Sequence, residues 1–374
     1  MRLLLTADTI GGVWTYAIEL CGGLKNYGVK IALATMGRKL SAEQHRQVNR
    51  LSHVELFESS YRLCWMSDPW DDVEQAGDWL LRVARHFRPD IVHLNDLGHG
   101  SLDWQAPVLL VGHSCVLSWW QAVKKEPAPM PEWRRYRNLV RHSVHHATML
   151  AAPSSAMLNT LLHHYGPAQD SRIIKNGSDF QIMTPCTVLP SEKSIFAAGR
   201  LWDEAKNIAL LARVARQINW PVYVAGDPGE DIGCGDSNYE NVHMLGLLGQ
   251  NELACRLAHS AIFAAPAFYE PFGLSILEAA RSGCALVLGG IPSLREIWGE
   301  AAEYVNPESP EELRQVLGSL VDDPERRRQM AEQARRRSMR YSASRMAANY
   351  RHCYDLLLKN RPELQETQLK GNCS

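Results

Sequence analysis

The sequence of 374 residues lacks several features that would place it in a special class of protein. No apolar run approaches the roughly 18 residues that a membrane-spanning helix requires, and the apolar start is too short for a signal peptide. The nine cysteines are scattered and form no CxxC pair, which argues against a disulfide framework or a zinc site. A formal net charge of −1 gives no indication of nucleic-acid binding. We therefore predict a cytoplasmic protein, or one on the cytoplasmic face of a membrane.

The chain does contain a regular alternation of short apolar runs and helical patterns. In the first half, the predicted strands are Arg2–Ala7, Lys30–Thr35, Ile91–Leu94, Val108–Val111, Thr148–Ala152 and Arg172–Lys175. In the second half, they are Ile195–Ala198, Val222–Ala225, Val242–Leu245, Ile262–Ala265, Ala285–Leu288 and Glu303–Val305. This alternation is typical of parallel sheets covered by helices on both faces. Because one sheet would not hold so many strands, we predict an α/β protein with two Rossmann-like domains facing a cleft.

The domain limits follow from the composition between these strands. The predicted boundary is Phe180–Lys193, an irregular segment with two prolines. The first domain would span residues 1–180 and the second 194–343. Two arginine-rich helices are predicted within Pro324–Lys359, and the polar residues 360–374 are predicted to be disordered.

Residues 270–278 form the most informative motif, Glu-Pro-Phe-Gly-Leu-Ser-Ile-Leu-Glu. The motif follows a predicted strand and leads into a predicted helix, so its backbone N–H groups lie at a helix N-terminus, which suits an anion such as phosphate. These N–H groups belong to Phe272, Gly273, Leu274 and Ser275. Glu270 and Glu278 flank the anion site, and a carboxylate on each side suits the hydroxyls of a sugar or a ribose.

Three other candidates lie at strand ends, where open α/β domains bind ligands. Arg200 follows a strand and Lys206 starts the next helix, so the two cations can neutralise a diphosphate, although solvated surface charges are the alternative. His113 can bond a sugar hydroxyl or a leaving oxygen, although a structural histidine is the alternative. Gly11-Gly12 allows close approach of a phosphate or sugar, although a tight turn explains it equally.

Two surface features suggest partners. Residues Trp133–Ala147 predict an amphipathic basic helix, which suits an anionic membrane, although a solvated helix face is the alternative. The loops Tyr61–Val73 and Val116–Met130 are rich in tryptophan, which suits stacking on an acceptor sugar ring, with buried packing as the alternative. These tryptophans are Trp65, Trp70, Trp119 and Trp120.

Taken together, the motifs resemble the family-4 retaining glycosyltransferases, which have the GT-B fold. The resemblance is carried by EPFGLSILEAARSG at residues 270–283, Gly199-Arg200…Lys206-Asn207 and Lys175-Asn176-Gly177, and it covers nearly the whole chain. It implies transfer of a sugar from a UDP-, GDP- or ADP-sugar to a hydroxyl acceptor, with retention and without a metal ion or other cofactor. The acceptor would be a sugar, a lipid-linked sugar or a small molecule. The last helix, 344–359, would cross back onto the first domain.

The resemblance also implies roles for the candidate residues that face the nucleotide. Arg200 and Lys206 would hold the donor diphosphate and take part in catalysis. The backbone at Gly12 would approach the donor phosphate. Glu278 would bond the ribose hydroxyls, and Ser275 would belong to the donor-binding loop.

At the sugar end of the donor, Glu270 would bond hydroxyls of the transferred sugar, with help from the backbone of Phe272–Leu274. His113 would contact the same sugar near the reacting carbon. Three alternatives stay open at this point. They are a glycoside hydrolase that uses Glu270 and Glu278 as acid and base, a sugar phosphorylase on the same fold, and a non-catalytic subunit that binds nucleotide sugars.

Overall fold

A computed structural model describes residues 1–179, 192–227 and 240–359. The first part of the chain forms a sheet with helices on both faces. Its strands are β1 (Arg2–Asp8), β2 (Lys30–Met36), β3 (Val54–Glu58), β4 (Ile91–Leu94), β5 (Val108–Val111), β6 (Met149–Ala152) and β7 (Ser171–Ile173). Its helices are α1 (Gly12–Leu24), α2 (Ala42–Asn49), α3 (Trp70–Phe87), α4 (Val116–Val123), α5 (Arg134–His146) and α6 (Ser155–Tyr165). The strands pair in parallel in the order β3-β2-β1-β4-β5-β6-β7.

The second part repeats this architecture. Its strands are β8 (Glu192–Ala198), β9 (Val222–Ala225), β10 (Val242–Gly246), β11 (Ser260–Ala265), β12 (Ala285–Gly289) and β13 (Glu303–Val305). They pair in parallel in the order β10-β9-β8-β11-β12-β13. Its helices are α7 (Ile208–Ala215), α8 (Gln250–His259), α9 (Leu274–Ser282), α10 (Pro292–Trp298), α11 (Pro310–Asp322) and α12 (Pro324–Ser338), and α13 (Ala343–Lys359) follows them. The prediction of two Rossmann-like parallel-sheet domains is confirmed.

Both sheets are buried on both faces, which explains why most of their strands are continuous apolar runs. In β1, Leu4 packs into one core cluster while Leu3 and Leu5 pack into the cluster on the opposite face. In β8, Phe196 and Ile195 divide in the same way between two further clusters. Twelve of the strands in the described residues coincide with predicted ones, whereas β3 was missed.

Helix α13 packs on the first domain, as predicted. Its Tyr350, Tyr354 and Leu357 are buried in the core cluster that also contains Leu20 of α1. The two helices approach so closely at Gly23 that a Cβ atom there would lie 2.7 Å from Cβ of Ala347. The last helix therefore joins the end of the chain to the first sheet.

The two domains also contact each other along the cleft between them. Ser154 Oγ donates to the backbone oxygen of Pro271 at 2.8 Å, and the hydroxyls of Ser118 and Tyr269 lie 2.8 Å apart. The predicted boundary, Phe180–Lys193, lies almost entirely outside the described residues, and the predicted disordered tail, 360–374, lies wholly outside them, so the domain limits stay a prediction. In the described ranges, no helix combines the length and apolarity needed to cross a membrane.

Candidate active site

Three of the predicted segments meet in the cleft between the domains. A Cβ atom on Gly11 would lie 3.7 Å from both Cδ and Nη1 of Arg200. A Cβ atom on Gly12 would lie 3.9 Å from Cδ1 of Leu274. The loop after β1 in the first domain therefore faces the loops after β8 and β11 in the second. Residues that are far apart in the sequence surround one small volume.

Two helix N-termini open into this volume. Helix α1 follows Gly11 and helix α9 follows Gly273, and no side chain of the described residues caps either helix. Both glycines have positive φ, 96° at Gly11 and 88° at Gly273, and a Cβ atom on Gly273 would lie 2.6 Å from Cδ1 of Ile276. The first N–H groups of an uncapped helix lack intrahelical acceptors and lie at the positive end of its dipole. The site can therefore bind an anion through the backbone.

The loop that precedes α9 is fixed in place by its own contacts. Phe272 is buried and packs edge-on against Tyr341, with ring centroids 5.6 Å apart. The backbone oxygen of Glu270 accepts a hydrogen bond from Ser293 Oγ at 2.6 Å. Leu274 and Ser275 form the first turn of α9. The predicted position of this motif between a strand and a helix is confirmed.

The two predicted cations each pair with a carboxylate. Nη2 of Arg200 donates to Asp203 Oδ2 at 2.6 Å, and Nζ of Lys206 donates to Glu270 Oε2 at 2.6 Å. The prediction that Lys206 starts the next helix is wrong. Lys206 ends a short 3₁₀ helix, Glu204–Lys206, that precedes α7. The left-handed backbone of Asn207 separates this turn from α7, and the Asn207 amide donates to two carbonyl oxygens.

Glu278 lies on α9 and is only 8% exposed. Burial raises the pKa of its carboxyl to about 8, and the nearby Glu19 raises that pKa further. Within the described part of the chain, no residue donates a hydrogen bond to the Glu278 carboxyl. The side chain is therefore mostly protonated at neutral pH and retains its hydrogen-bonding capacity for hydroxyl groups.

His113 lies just beyond the end of β5, and Asn95 fixes its orientation. The Asn95 amide donates to the Thr6 backbone oxygen at 2.7 Å, so its Oδ1 faces His113 Nε2 at 2.9 Å. Nε2 therefore carries the proton and donates it, which leaves Nδ1 as an acceptor. Burial lowers the pKa of His113 to about 3, so the ring is neutral. Tyr16 packs against the ring, with centroids 4.4 Å apart.

Two further carboxylates of the cleft were missed in the sequence. Asp8 ends β1, and burial raises its pKa to about 7, while the Ile10 N–H and Arg200 oppose that rise. Its signal was a carboxylate at a strand end, three residues before a glycine pair. Asp203 is buried beside Arg200, and its contact with Trp119 of the first domain left no sequence signal.

The predicted basic helix is present as α5, with Tyr136, Val140 and Val144 buried. The arginines on the opposite face are exposed: Arg134, Arg135, Arg137 and Arg141. The loop tryptophans make contacts within the protein. Trp65 stacks on Trp202 at 6.5 Å, Trp70 lies under the Arg135 guanidinium, and Trp119 and Trp120 pack edge-on.

Comparison with known proteins places the chain in a family. Residues 10–181 match the family model "Glycosyltransferase Family 4", and residues 188–337 match "Glycosyl transferases group 1". The D-inositol 3-phosphate glycosyltransferase of Corynebacterium glutamicum (strain R) is 25% identical over 398 aligned positions, which cover 95% of this chain and 94% of that protein.

Solved structures show the same fold at lower identity. Sucrose-phosphate synthase from Thermosynechococcus elongatus superposes with a TM-score of 0.79 and 17% identity, covering 96% of this chain and 99% of that one. HepE of Anabaena, solved in complex with UDP and glucose, superposes with a TM-score of 0.71 and 16% identity, covering 95% of this chain and 100% of that one. The chain belongs to the family-4 retaining glycosyltransferases, which use nucleotide-sugar donors, and it has the GT-B fold.

Proposed function

We propose that the protein transfers a hexose or related sugar from a nucleotide diphosphate sugar to a hydroxyl acceptor, without a metal ion. The observation that carries the proposal is the convergence of two uncapped helix N-termini with Arg200 and Lys206. Backbone N–H groups, helix dipoles and side-chain cations together suit the two phosphates of a donor. We infer a UDP-sugar as the first donor to test, because the HepE structure contains UDP and glucose.

Each predicted residue has a place in this proposal. Arg200 would bind the diphosphate through guanidinium N–H groups other than the one that binds Asp203, and Lys206 would share its ammonium group between Glu270 and the diphosphate. Gly12 and the first turn of α9, Leu274 and Ser275, would contribute backbone N–H groups. Glu278 would bond the ribose hydroxyls. Its burial supports this role, because a buried carboxyl without a protein donor gains most from hydroxyl partners.

The sugar would lie between the loop after β11 and the end of β5. Glu270 and the backbone of Phe272–Leu274 would bond its hydroxyls from the second domain. His113 would bond a hydroxyl from the first domain through Nδ1, the acceptor that its contact with Asn95 leaves available. A neutral imidazole suits this role better than proton transfer, since a pKa of about 3 is far from neutral pH.

The reaction would proceed on one face of the sugar. The bond between the anomeric carbon and the phosphate oxygen breaks, and a bond from that carbon to the acceptor oxygen forms. The acceptor proton passes to the leaving phosphate oxygen. The helix ends and cations would stabilise the negative charge that develops on the diphosphate, and such preorganised stabilisation is commonly worth several kcal/mol.

The geometry favours transfer over hydrolysis by a carboxylate pair. Glu270 is bound to Lys206 at 2.6 Å, so its carboxylate is held away from the role of a nucleophile. A hydrolase would also leave the two helix N-termini without a purpose. A phosphorylase or a non-catalytic binding subunit would keep the anion site, and both are distinguished by activity.

The first experiment is a melting-temperature screen of the purified protein with UDP-, GDP- and ADP-sugars, followed by assays of nucleotide release with candidate acceptors in EDTA. Anything that binds the folded state raises the melting temperature. We expect one base to stabilise the protein and to support transfer that EDTA leaves intact. Stabilisation without transfer to any acceptor would instead favour the binding subunit. Cleavage of a glycoside that requires only phosphate would favour the phosphorylase.

The acceptor and the location of the protein are part of the proposal. We infer that the exposed arginines of α5 bring the protein to an anionic membrane on its cytoplasmic side, which suits a lipid-linked acceptor. Sedimentation with vesicles that contain anionic lipid tests this. Wild-type protein should bind them, neutral vesicles should not, and replacement of Arg134 and Arg141 by glutamine should weaken the binding.

A further inference from the structure

Asp203 is a buried carboxylate in the loop after β8, between Arg200 and Lys206. It is 4% exposed and lies three residues after Arg200. Oδ2 accepts from Arg200 Nη2 at 2.6 Å, and Oδ1 accepts from the backbone N–H of Ala205 at 3.0 Å. Burial would raise the pKa of Asp203, but Arg200, Trp119 and Lys206 lower it below its usual value, so the carboxylate is charged.

Oδ1 of Asp203 also accepts a hydrogen bond from the opposite domain. The donor is Nε1 of Trp119 on α4, at 2.9 Å. One carboxylate therefore connects an indole of the first domain to the guanidinium of Arg200 in the second. The contact requires the domains to be as close as they are here, because neither Asp203 nor Trp119 has a long flexible side chain.

A second interdomain contact joins the same two elements without reaching Arg200. Nζ of Lys124, directly after α4, donates to both carboxylate oxygens of Glu204 at 2.7 Å. Glu204 is the neighbour of Asp203 but is exposed, and among the residues that the structure describes its side chain pairs only with Lys124. It therefore serves as a matched control for a contact that holds the domains together and does nothing else.

We propose that Asp203 is a positioning residue that couples docking of the first domain, through Trp119, to the orientation of Arg200 toward the donor diphosphate. The proposal rests on the proposed function. When the domains close, the indole N–H fixes the Asp203 carboxylate, and the carboxylate in turn fixes the guanidinium. Arg200 is thus presented to the leaving group only in the closed form, and closure and leaving-group stabilisation become one event.

Two substitutions interrupt this series of contacts, from Trp119 through Asp203 to Arg200, at different points. Trp119→Phe removes the indole N–H and keeps the Asp203–Arg200 ion pair. Asp203→Asn keeps an oxygen that can accept from Trp119, but it replaces the charge that holds Arg200. Glu204→Gln removes the control contact. Each is assayed with the UDP-, GDP- or ADP-sugar that the wild type turns over, by nucleotide diphosphate released.

We expect kcat to fall about 10- to 100-fold in Trp119→Phe and in Asp203→Asn, the range that a hydrogen bond to a charged group is worth. Donor KM should change by less than about threefold, because Lys206, Glu278 and α9 bind the donor on the second domain alone. The double variant, Trp119→Phe with Asp203→Asn, should be no slower than Asp203→Asn, because both changes interrupt the same series of contacts. Glu204→Gln should match the wild type within about twofold.

Three results would overturn the proposal. One is a loss of kcat in Trp119→Phe no larger than in Glu204→Gln. Another is a double variant whose loss is the product of the two single losses. The third is a loss that appears only as a raised donor KM. If Asp203→Asn fails to fold, Trp119→Phe alone decides. A wild type that turns over no nucleotide sugar would refute the proposed function, whereas an active wild type with unaffected variants refutes this inference alone.

Discussion

Replacement of Glu278 by glutamine should stabilise the folded protein while it weakens donor binding. The carboxyl is buried, its pKa is raised to about 8 from a usual value of 4.5, and Glu19 adds repulsion. Folding therefore opposes ionisation of this group. Glutamine has nearly the same shape as glutamate and cannot ionise. The substitution therefore removes the free-energy cost of keeping this group neutral and leaves the packing of α9 intact. Stability and function would then conflict at one residue, as is common at binding sites.

The size of the effect depends on pH in a predictable direction. The unfolded chain releases the Glu278 proton near pH 4.5, whereas the folded protein keeps it until about pH 8. The unfolded state is therefore favoured increasingly as pH rises between these values. Linkage gives a cost to the wild type of about 1 kcal/mol at pH 5 and about 3 kcal/mol at pH 7, as upper values. Entry of water from the cleft reduces both.

Urea unfolding of the wild type and Glu278→Gln at pH 5 and pH 7 provides the measurement. We expect the variant to gain about 1–3 kcal/mol over the wild type at pH 7 and less than about 1 kcal/mol at pH 5. Glu126→Gln, at an exposed loop position, should change neither value. An equal gain at both pH values, or a loss of stability at pH 7, would show that the carboxyl is not held in its neutral form by the fold. The same variant should bind the donor more weakly in the melting screen.

Three further predictions concern the backbone, the cations and the histidine. Gly273→Ala should destabilise the protein by about 1–3 kcal/mol in thermal or urea unfolding, because φ is 88° at this position and a Cβ atom would meet Ile276. The control Gly22→Ala, which places its Cβ atom in open space on α1, should be neutral or stabilising. Lys206→Ala should lower kcat/KM for the donor about 100- to 1000-fold, and the exposed Lys25→Ala should leave it unchanged; equal activities would refute the role of Lys206. His113→Gln should reduce turnover without altering the pH profile between pH 5 and 8, because burial lowers the pKa of His113 to about 3; loss of an acidic limb in the variant would contradict this.

Local sequence signals predicted most of the fold. The strands were recognisable because each is a short apolar run buried on both faces, as in β1 and β12. Strand β3 was missed because two glutamates interrupt the apolar residues of Val54–Glu58, so the segment is neither a continuous apolar run nor a regular alternation, and it lies partly exposed at the edge of the sheet. The start of α9 was predictable for a similar local reason, since Pro271 and Gly273 disfavour a helix and the residues after them favour one.

The sequence could not predict contacts that depend on how the domains meet. Trp119 and Asp203 are 84 positions apart, and the loop rich in tryptophan gave no reason to choose a carboxylate partner over a sugar ring. The neutral state of Glu278 depends on Glu19 of the first domain and on burial that only the assembled cleft provides. Isolated residue types therefore indicated which groups matter, and the geometry determined their charge.

That distribution of charge explains why the backbone must contribute to anion binding. Arg200 and Lys206 are each balanced by a carboxylate, Asp203 and Glu270, while Glu278 is mostly neutral at pH 7. The side chains around the site thus present little net positive charge to an incoming diphosphate. The N-termini of α1 and α9 are not balanced in this way, because no side chain in the described part of the protein caps them. A donor that fits both helix ends would gain their full dipole interaction and would bind, in addition, N–H groups of Arg200 and Lys206 beside those that bind Asp203 and Glu270. A single phosphate would reach only part of this arrangement, so we expect a nucleoside diphosphate to raise the melting temperature more than inorganic phosphate does.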